Sequence, residues 1–302
     1  MMRRRFVVLV LLIACGDDDR IAFDTGVSSD GAVGDVESSS DASPGDVGAR
    51  DASSADAGAP GLGIAFDYRF DGAGFFMDPA RRAALEAAAA EWSAILVDEF
   101  EDIPAGTTIR TRDPESPDTS AMNFASESVI DDVLIFVGCA SFSGGIAQSS
   151  NPAAIGSVAD TALATRLQER YAGARFQPWT GWISFNCDQP WFFDATPATN
   201  DDIPGEQNDF HSTAMHEIGH VLGFGTSDAF ANLVDNGVFT GAEAVGAYGM
   251  PVPMTASGVH FQSSVISDGE VTLMDVSRTV GTRTPATRLD RAAMSDIGYT
   301  LR

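Results

Sequence analysis

Basic residues, histidines and cysteines are all scarce in this chain of 302 residues. It carries 18 Lys and Arg against 43 Asp and Glu, which gives a formal net charge of −25 at pH 7. Such a charge repels nucleic-acid phosphates and anionic lipid surfaces, so we expect no nucleic-acid partner. The sequence also lacks internal repeats, a P-loop and a dinucleotide-binding fingerprint. With 44% hydrophobic residues, it can fill one good-sized core or two small ones.

The N-terminal apolar run is too short to cross a membrane. It covers residues 6–14, follows three arginines, and ends at Cys15 before Gly16 and three aspartates, whereas a membrane span needs about 20 residues. The pattern resembles the lipobox of bacterial lipoproteins, in which the cysteine becomes the lipidated first residue. The alternative is an ordinary signal peptide with a cysteine near its end.

A lipobox implies that residues 1–15 are a signal peptide and that the protein is exported and anchored at the bacterial cell envelope or surface. Residues 16–60 are mostly Asp, Ser, Ala and Gly, a composition that predicts a disordered acidic linker. The folded domain should therefore cover residues 61–302. We expect a monomer that contacts the membrane through its lipid anchor only.

Cysteine is limited to three residues. With Cys15 lipidated, Cys139 and Cys187 remain as an even pair, which suits an oxidising compartment. Each ends an apolar, strand-like run, so neighbouring strands can bring them within the roughly 6 Å Cα separation that a disulfide needs. The alternative is two buried free thiols.

Hydrophobic periodicity in residues 61–302 predicts an α+β domain. The predicted elements are strands at 64–71, 107–112, 132–139 and 179–186 and helices at 78–96, 161–171 and 210–222. Gly223 and Gly225 should end the third helix, because glycine tolerates the left-handed turn that closes a helix. Mostly loop is expected after that point.

Two of the four histidines lie in HEIGHVLGFG, residues 216–225. On the predicted helix His216 and His220 share one face, so both imidazoles can bind one cation at about 2.0 to 2.1 Å. Glu217 is turned by about 100° from His216. There its carboxylate can take a proton from metal-activated water without being a ligand. The pattern predicts a metal-dependent amide hydrolase.

The alternative is that the three residues arose by chance on a solvent-facing helix. Their neighbours Met215, Ile218 and Val221 are apolar, however, which predicts a buried helix. Burying two histidines and a glutamate without partners would be costly. We therefore favour a metal site.

The segment 216–223, H-E-x-x-H-x-x-G, resembles the zinc helix of the metzincin metalloproteases. The family's usual third ligand position is occupied by Thr226, and a threonine hydroxyl is a poor zinc ligand. In leishmanolysin-like metzincins the third histidine comes from a distant segment, and this chain looks similar. The resemblance thus implies His260 as the third ligand.

Two later segments resemble the same family. VTLMDVSRTVGTR resembles the Met-turn, which implies that Met274 lies beneath the metal, and RLDRAAMSDIGY resembles the C-terminal helix. The resemblance implies an α+β metzincin-like zincin domain with a mixed sheet, a long N-terminal helix, a zinc helix, a Met-turn and a C-terminal helix. It also implies a metalloendopeptidase with one catalytic Zn²⁺ that hydrolyses extracytoplasmic proteins or peptides.

Other residues remain candidates for the third ligand. Glu243 follows His220 by 23 residues, within the interval at which gluzincin-type proteases place a glutamate. Asp228 is close in sequence but two positions beyond the metzincin spacing. His211 precedes the motif by five residues, which turns it about 140° from the shared face and argues against it.

Two questions stay open at this point. Four aspartates can supply oxygen ligands for a structural Ca²⁺, although we favour a solvated acidic loop: Asp194, Asp201, Asp202 and Asp209. The rival to the enzyme is a catalytically idle surface lipoprotein that binds zinc for structure or adhesion. Glu217 favours the enzyme, because a structural site closes its fourth position with a protein ligand and needs no base.

Overall fold

The structure is a computed structural model that describes residues 10–12, 61–119, 121–151, 161–194, 197 and 202–302. The predicted lipidation site Cys15 and the predicted linker 16–60 lie outside the described residues. Within the predicted signal peptide, Val10–Leu12 form a short strand that pairs antiparallel with Ser277–Thr279. Among the described residues, no helix combines the length and the apolar composition that crossing a bilayer requires.

Helices and strands are both present throughout the described domain. The helices are α1 (Pro79–Ile95), α2 (Thr161–Glu169), α3 (Phe210–Val221), α4 (Asp228–Ala231), α5 (Ala242–Tyr248) and α6 (Arg288–Asp296). The strands are β1 (Val10–Leu12), β2 (Ile64–Asp67), β3 (Thr108–Thr111), β4 (Met122–Ala125), β5 (Val133–Ala140), β6 (Ala147–Ser150), β7 (Thr180–Asn186), β8 (Trp191–Phe192), β9 (Asn208–Asp209), β10 (Val234–Asp235), β11 (Val238–Phe239), β12 (Val252–Pro253), β13 (Ile266–Ser267), β14 (Glu270–Val271) and β15 (Ser277–Thr279).

A mixed sheet in the order β2-β5-β7-β6 forms the centre of the fold. Strands β2, β5 and β7 run parallel, whereas β6 is antiparallel to β7, with Ala147 opposite Phe185. Every residue of β7 is buried, as expected for a strand covered on both faces. Among the described strands, β6 is at the edge of this sheet.

Helices α1 and α3 pack against each other beside the sheet. Asp78 and Asp209 cap their N-termini through side-chain acceptors, and Pro79 occupies the first position of α1. Trp92 of α1 is buried, and its indole N–H donates to the Met215 carbonyl of α3 at 2.8 Å. This bond fixes α1 against the helix that carries the motif.

The long predicted elements are confirmed, with small changes at their ends. The first strand ends at Asp67 rather than residue 71, because the chain turns where the Asp71 N–H donates to the Tyr68 carbonyl. Gly223 and Gly225 have φ of 104° and 72°, so they do end α3 in left-handed conformations. The expectation of mostly loop after α3 is confirmed, since most residues between α3 and α6 lie outside helices and strands, but the short elements α4, α5 and the sheet β10-β11-β12 interrupt the loops. These elements have only two to seven residues, too few for periodicity to indicate them.

Cys139 and Cys187 form a disulfide with a Cα–Cα distance of 5.3 Å. Cys139 lies near the end of β5 and Cys187 directly follows β7, and the parallel pairing of these strands brings their ends together. The bond links residues 48 positions apart, which the chain-entropy model converts into about 4 kcal/mol of stabilisation.

Candidate metal centre

Three histidines converge at the centre of the domain. The Nε2 atoms of His216, His220 and His260 lie 3.0 to 3.2 Å from one another, and all three side chains are buried. Nitrogens that share one tetrahedral zinc ion at about 2.0 to 2.1 Å lie roughly 3.3 Å apart, so both the donor set and its spacing fit zinc. Among the described residues, no further His, Cys, Asp or Glu joins this cluster.

Backbone carbonyls orient the two histidines of α3. Nδ1 of His216 lies 2.8 Å from the Leu273 carbonyl oxygen, and Nδ1 of His220 lies 2.8 Å from that of Phe224. Because Nδ1 donates in each case, the lone pair of Nε2 faces the cluster. Burial lowers the pKa of His220 to about 4 and that of His216 well below its usual value. Both rings are therefore neutral at pH 7, as metal ligands must be.

His260 reaches the cluster from the segment that follows α5 and β12. The Phe261 N–H donates to the Met274 carbonyl at 3.1 Å, which ties this segment to the chain beneath α3. Gly225 permits the close approach, because a Cβ at that position would lie 2.2 Å from the Val259 carbonyl oxygen. A larger residue at 225 would therefore displace the third histidine.

Glu217 is buried beside the cluster but is not part of it. Its Oε2 accepts a hydrogen bond from the Ser149 hydroxyl at 2.6 Å, and its Oε1 has no hydrogen-bond partner among the described residues. Burial raises the pKa of Glu217 to about 7, opposed by the Ser149 hydrogen bond and the charge of Arg278. A carboxylate with a pKa near neutrality is suited to proton transfer.

Met274 lies beneath α3, in the turn 272–275. A Cβ at Gly219 would lie 2.8 Å from the Met274 sulfur, so the missing side chain of Gly219 makes room for this contact. Asp290 of α6 holds the turn: its carboxylate accepts from the Leu273 N–H at 2.9 Å and the Met274 N–H at 3.0 Å. Because the Leu273 carbonyl binds His216, one buried carboxylate connects α6 with a candidate metal ligand.

Thr226 occupies the usual third-ligand position of the metzincin pattern, and here it closes the end of α3. Its hydroxyl donates to the His220 carbonyl and accepts from Nδ2 of Asn151 at 2.8 Å. Asn151 also donates to the His220 carbonyl at 3.1 Å. Thr226 thus supports a candidate ligand, His220, through its backbone and is not part of the histidine cluster.

The other candidate ligands lie outside the histidine cluster. Glu243 and Asp228 are exposed in the first turns of α5 and α4. His211 is buried, with its Nε2 3.6 Å from the Glu91 carboxylate of α1. Its position agrees with the helical angle, which turns it away from the face shared by the two ligands.

Two of the aspartates considered for calcium contact an arginine instead. Arg283 lies 2.8 Å from the Asp194 carboxylate and 2.7 Å from that of Asp209. Asp202 is exposed, and Asp201 lies outside the described residues. The described members of the set do not form a cluster of metal ligands, and the Arg283 guanidinium bridges the two buried carboxylates.

Sequence reasoning missed Ser149, Asn151, Arg278 and Asp290. Arg278 is buried on β15, where it lies against His216 and donates to the Leu273 carbonyl. Ser149 and Asp290 are 68 and 17 residues away from their partners Glu217 and Leu273. A local signal existed for Asp290 alone, since Thr287 three residues earlier makes a capping box with it.

No protein-family model matches the chain, and no curated protein matches it significantly. The metzincin resemblance therefore rests on the motif, the third histidine and the segment around Met274. Function must be inferred from the site itself.

Proposed function

We propose that this protein is a zinc-dependent metalloendopeptidase of the metzincin-like type. The observation that carries the proposal is the convergence of three imidazole Nε2 atoms, 3.0 to 3.2 Å apart, beside a buried glutamate. Catalytic zinc sites use three protein ligands and keep one position open. His216, His220 and His260 would hold the ion, and Glu217 would act as the general base.

Glu217 and Met274 would have separate roles beside a bound zinc ion. A bound zinc ion supplies Lewis-acid chemistry, which activates water and polarises a carbonyl group. Glu217 takes a proton from the attacking water and delivers it to the leaving nitrogen of the peptide bond. Oε1 is the oxygen suited to this task, because Oε2 is bonded to Ser149. Met274 supports α3 from beneath.

An edge strand beside the site favours a peptide substrate. Among the described strands, β6 ends the mixed sheet, and Ser149 on this strand contacts Glu217. An extended peptide can add to such an edge through main-chain hydrogen bonds. The position of β6 therefore favours an endopeptidase over a hydrolase of small amides.

The proposed enzyme acts outside the cytoplasm. Its N-terminal sequence resembles a lipobox, and the bond between Cys139 and Cys187 suits an oxidising compartment. We propose a lipid-anchored monomer of the bacterial cell envelope that acts on extracytoplasmic proteins or peptides.

Burial of the three imidazoles favours the rival proposal, a zinc-binding surface lipoprotein without activity. Two observations argue for the enzyme. No fourth His, Cys, Asp or Glu joins the cluster among the described residues, and a structural zinc would need one. Oε1 of Glu217 is buried without a hydrogen-bond partner in the described chain, a cost that proton transfer explains and a structural role does not.

Substitution of Glu217 distinguishes the enzyme from the inactive zinc-binding lipoprotein. Glu217→Gln should keep one equivalent of zinc, because the residue is not a ligand, and should lose peptide hydrolysis by about 10²- to 10⁴-fold, because an amide takes no proton. Zinc content and peptide cleavage are measured on the same purified protein. Glu243→Gln, the same change at an exposed glutamate, is the control and should keep both. Full activity in zinc-loaded Glu217→Gln would refute the mechanism.

A further inference from the structure

Strand β6 and the residue after it place two polar side chains against α3. Ser149 and Asn151 are two residues apart, so both can face the helix from the extended chain. The Ser149 hydroxyl lies 2.6 Å from Oε2 of Glu217 and 3.1 Å from its carbonyl oxygen. Nδ2 of Asn151 lies 3.1 and 3.2 Å from the carbonyl oxygens of His220 and Val221. The edge of the sheet thus contacts α3 at Glu217, the proposed general base, and at His220, a proposed zinc ligand.

The contact between Ser149 and Glu217 has a definite direction. A serine hydroxyl has a single proton to donate, and the shorter distance assigns that proton to Oε2. Charge-assisted bonds of this type are shorter and stronger than neutral ones. Ser149 itself is paired with Ile183 of the buried strand β7, so the donor is fixed by the sheet.

Without this donor the carboxylate would have little to fix its orientation. Oε1 has no hydrogen-bond partner among the described residues, and the last torsion of a glutamate side chain is broad and roughly two-fold. The hydroxyl therefore selects which oxygen is bonded to β6 and which is left for proton transfer. Such supporting bonds hold a catalytic group in its productive geometry.

We infer that Ser149 is a positioning residue that holds the Glu217 carboxylate in its orientation for proton transfer. The effect of Ser149 on catalysis rests on the proposed function, whereas its effect on the orientation of the Glu217 side chain does not. Ser149 acts through Glu217 and contributes no ligand to the histidine cluster.

Three variants test this inference. Ser149→Ala should lower kcat about tenfold, the value of one oriented hydrogen bond, without changing KM or zinc content. Ser149→Thr keeps the hydroxyl and suits a strand, so it should restore kcat. Ser150→Ala is the matched control, because Ser150 is the next residue of the same strand and its side chain alternates to the other face. It should behave as the wild type does.

Crystal structures of the zinc-loaded wild type, Ser149→Ala and Ser149→Thr supply a readout that does not depend on activity. The Glu217 carboxylate should rotate in Ser149→Ala and return in Ser149→Thr. An unmoved carboxylate in Ser149→Ala overturns the inference whatever the activity, and so does a rotated carboxylate with unchanged kcat. If the carboxylate rotates and the zinc-loaded wild type cleaves no peptide, Ser149 positions Glu217 but the proposed function is wrong.

Discussion

At the scale of single residues, the hydrogen bond of the second ring nitrogen distinguishes the proposed metal ligands from another buried histidine. Nδ1 of His216 and Nδ1 of His220 each contact a backbone carbonyl, which leaves Nε2 for a cation. His211 is also buried, but its Nε2 lies near the Glu91 carboxylate and away from the cluster. The contact with the Glu91 carboxylate gives His211 a structural role between α3 and α1.

Four single substitutions test the assignment of the third ligand. A catalytic zinc takes three protein ligands, so removing a true one should cost most of the affinity. His260→Ala should therefore lose zinc in metal analysis of the purified protein. Glu243→Ala, Asp228→Ala and His211→Ala should each retain about one equivalent. If His260→Ala keeps zinc and activity while Glu243→Ala loses both, the site is gluzincin-like and the metzincin resemblance fails.

Local spacing was enough to find part of the site. His216, Glu217 and His220 lie within one turn of one helix, so their sequence positions fix their relative directions. His260 came from the family resemblance, since no spacing rule places a residue 40 positions away. Ser149 could not be predicted, because its contact depends on how the edge of the sheet meets α3. Long-range contacts of this kind leave no periodic signal in the sequence.

At the scale of elements, α6 and the turn 272–275 form one unit. Asp290 accepts from Thr287 of its own capping box and from the N–H groups of Leu273 and Met274. The Leu273 carbonyl in turn binds His216, and the Met274 carbonyl accepts from the segment of the third histidine. The position of α6 therefore fixes two of the three imidazoles.

Asp290→Asn tests this coupling. The amide keeps one acceptor oxygen and turns its NH₂ group toward backbone N–H donors, so the turn 272–275 should loosen. Zinc affinity should then fall about 10- to 100-fold, as it does when other residues that support metal ligands are replaced. Zinc titration against a competing chelator measures the change. Asp296→Asn on the same helix is the control, because Asp296 accepts from backbone N–H groups of α5. Wild-type affinity in Asp290→Asn would contradict the coupling.

Element length decided which parts of the fold were predictable. Helices α1 and α3 and strands β5 and β7 have 7 to 17 residues, enough for periodicity to identify them. The hairpin of β10 and β11 was missed, although Asn236 and Gly237 both have positive φ, as the favoured two-residue hairpin turn requires. Its strands have two residues each, and pairing with β12 stabilises them.

At the scale of the whole molecule, the core of the described domain begins at Leu62. This residue is fully buried, and its N–H donates to the Leu96 carbonyl at 3.1 Å after α1. The disulfide between Cys139 and Cys187 and the buried strand β7 lie well inside the same domain. The chain from Gly61 to Arg302 thus contains the sheet, the long helices and the histidine cluster.

A protein that starts at Gly61 should fold, remain soluble and bind one equivalent of zinc. It loses the pairing of Val10–Leu12 with β15, which involves only three residues of each strand, so its melting temperature should change little. Thermal unfolding by circular dichroism and metal analysis measure both properties. Aggregation or the loss of a cooperative transition would show that the domain boundary is wrong.

Digestion of a peptide library by the purified wild-type protein tests whether it is a zinc-dependent endopeptidase. We expect the zinc-loaded protein to cleave peptides at internal bonds, a chelator to abolish cleavage and added zinc to restore it, because a bound zinc ion would activate the water that Glu217 is proposed to deprotonate. Protein that holds one equivalent of zinc and cleaves no peptide, or cleavage that persists after complete removal of the metal, would contradict the proposed function.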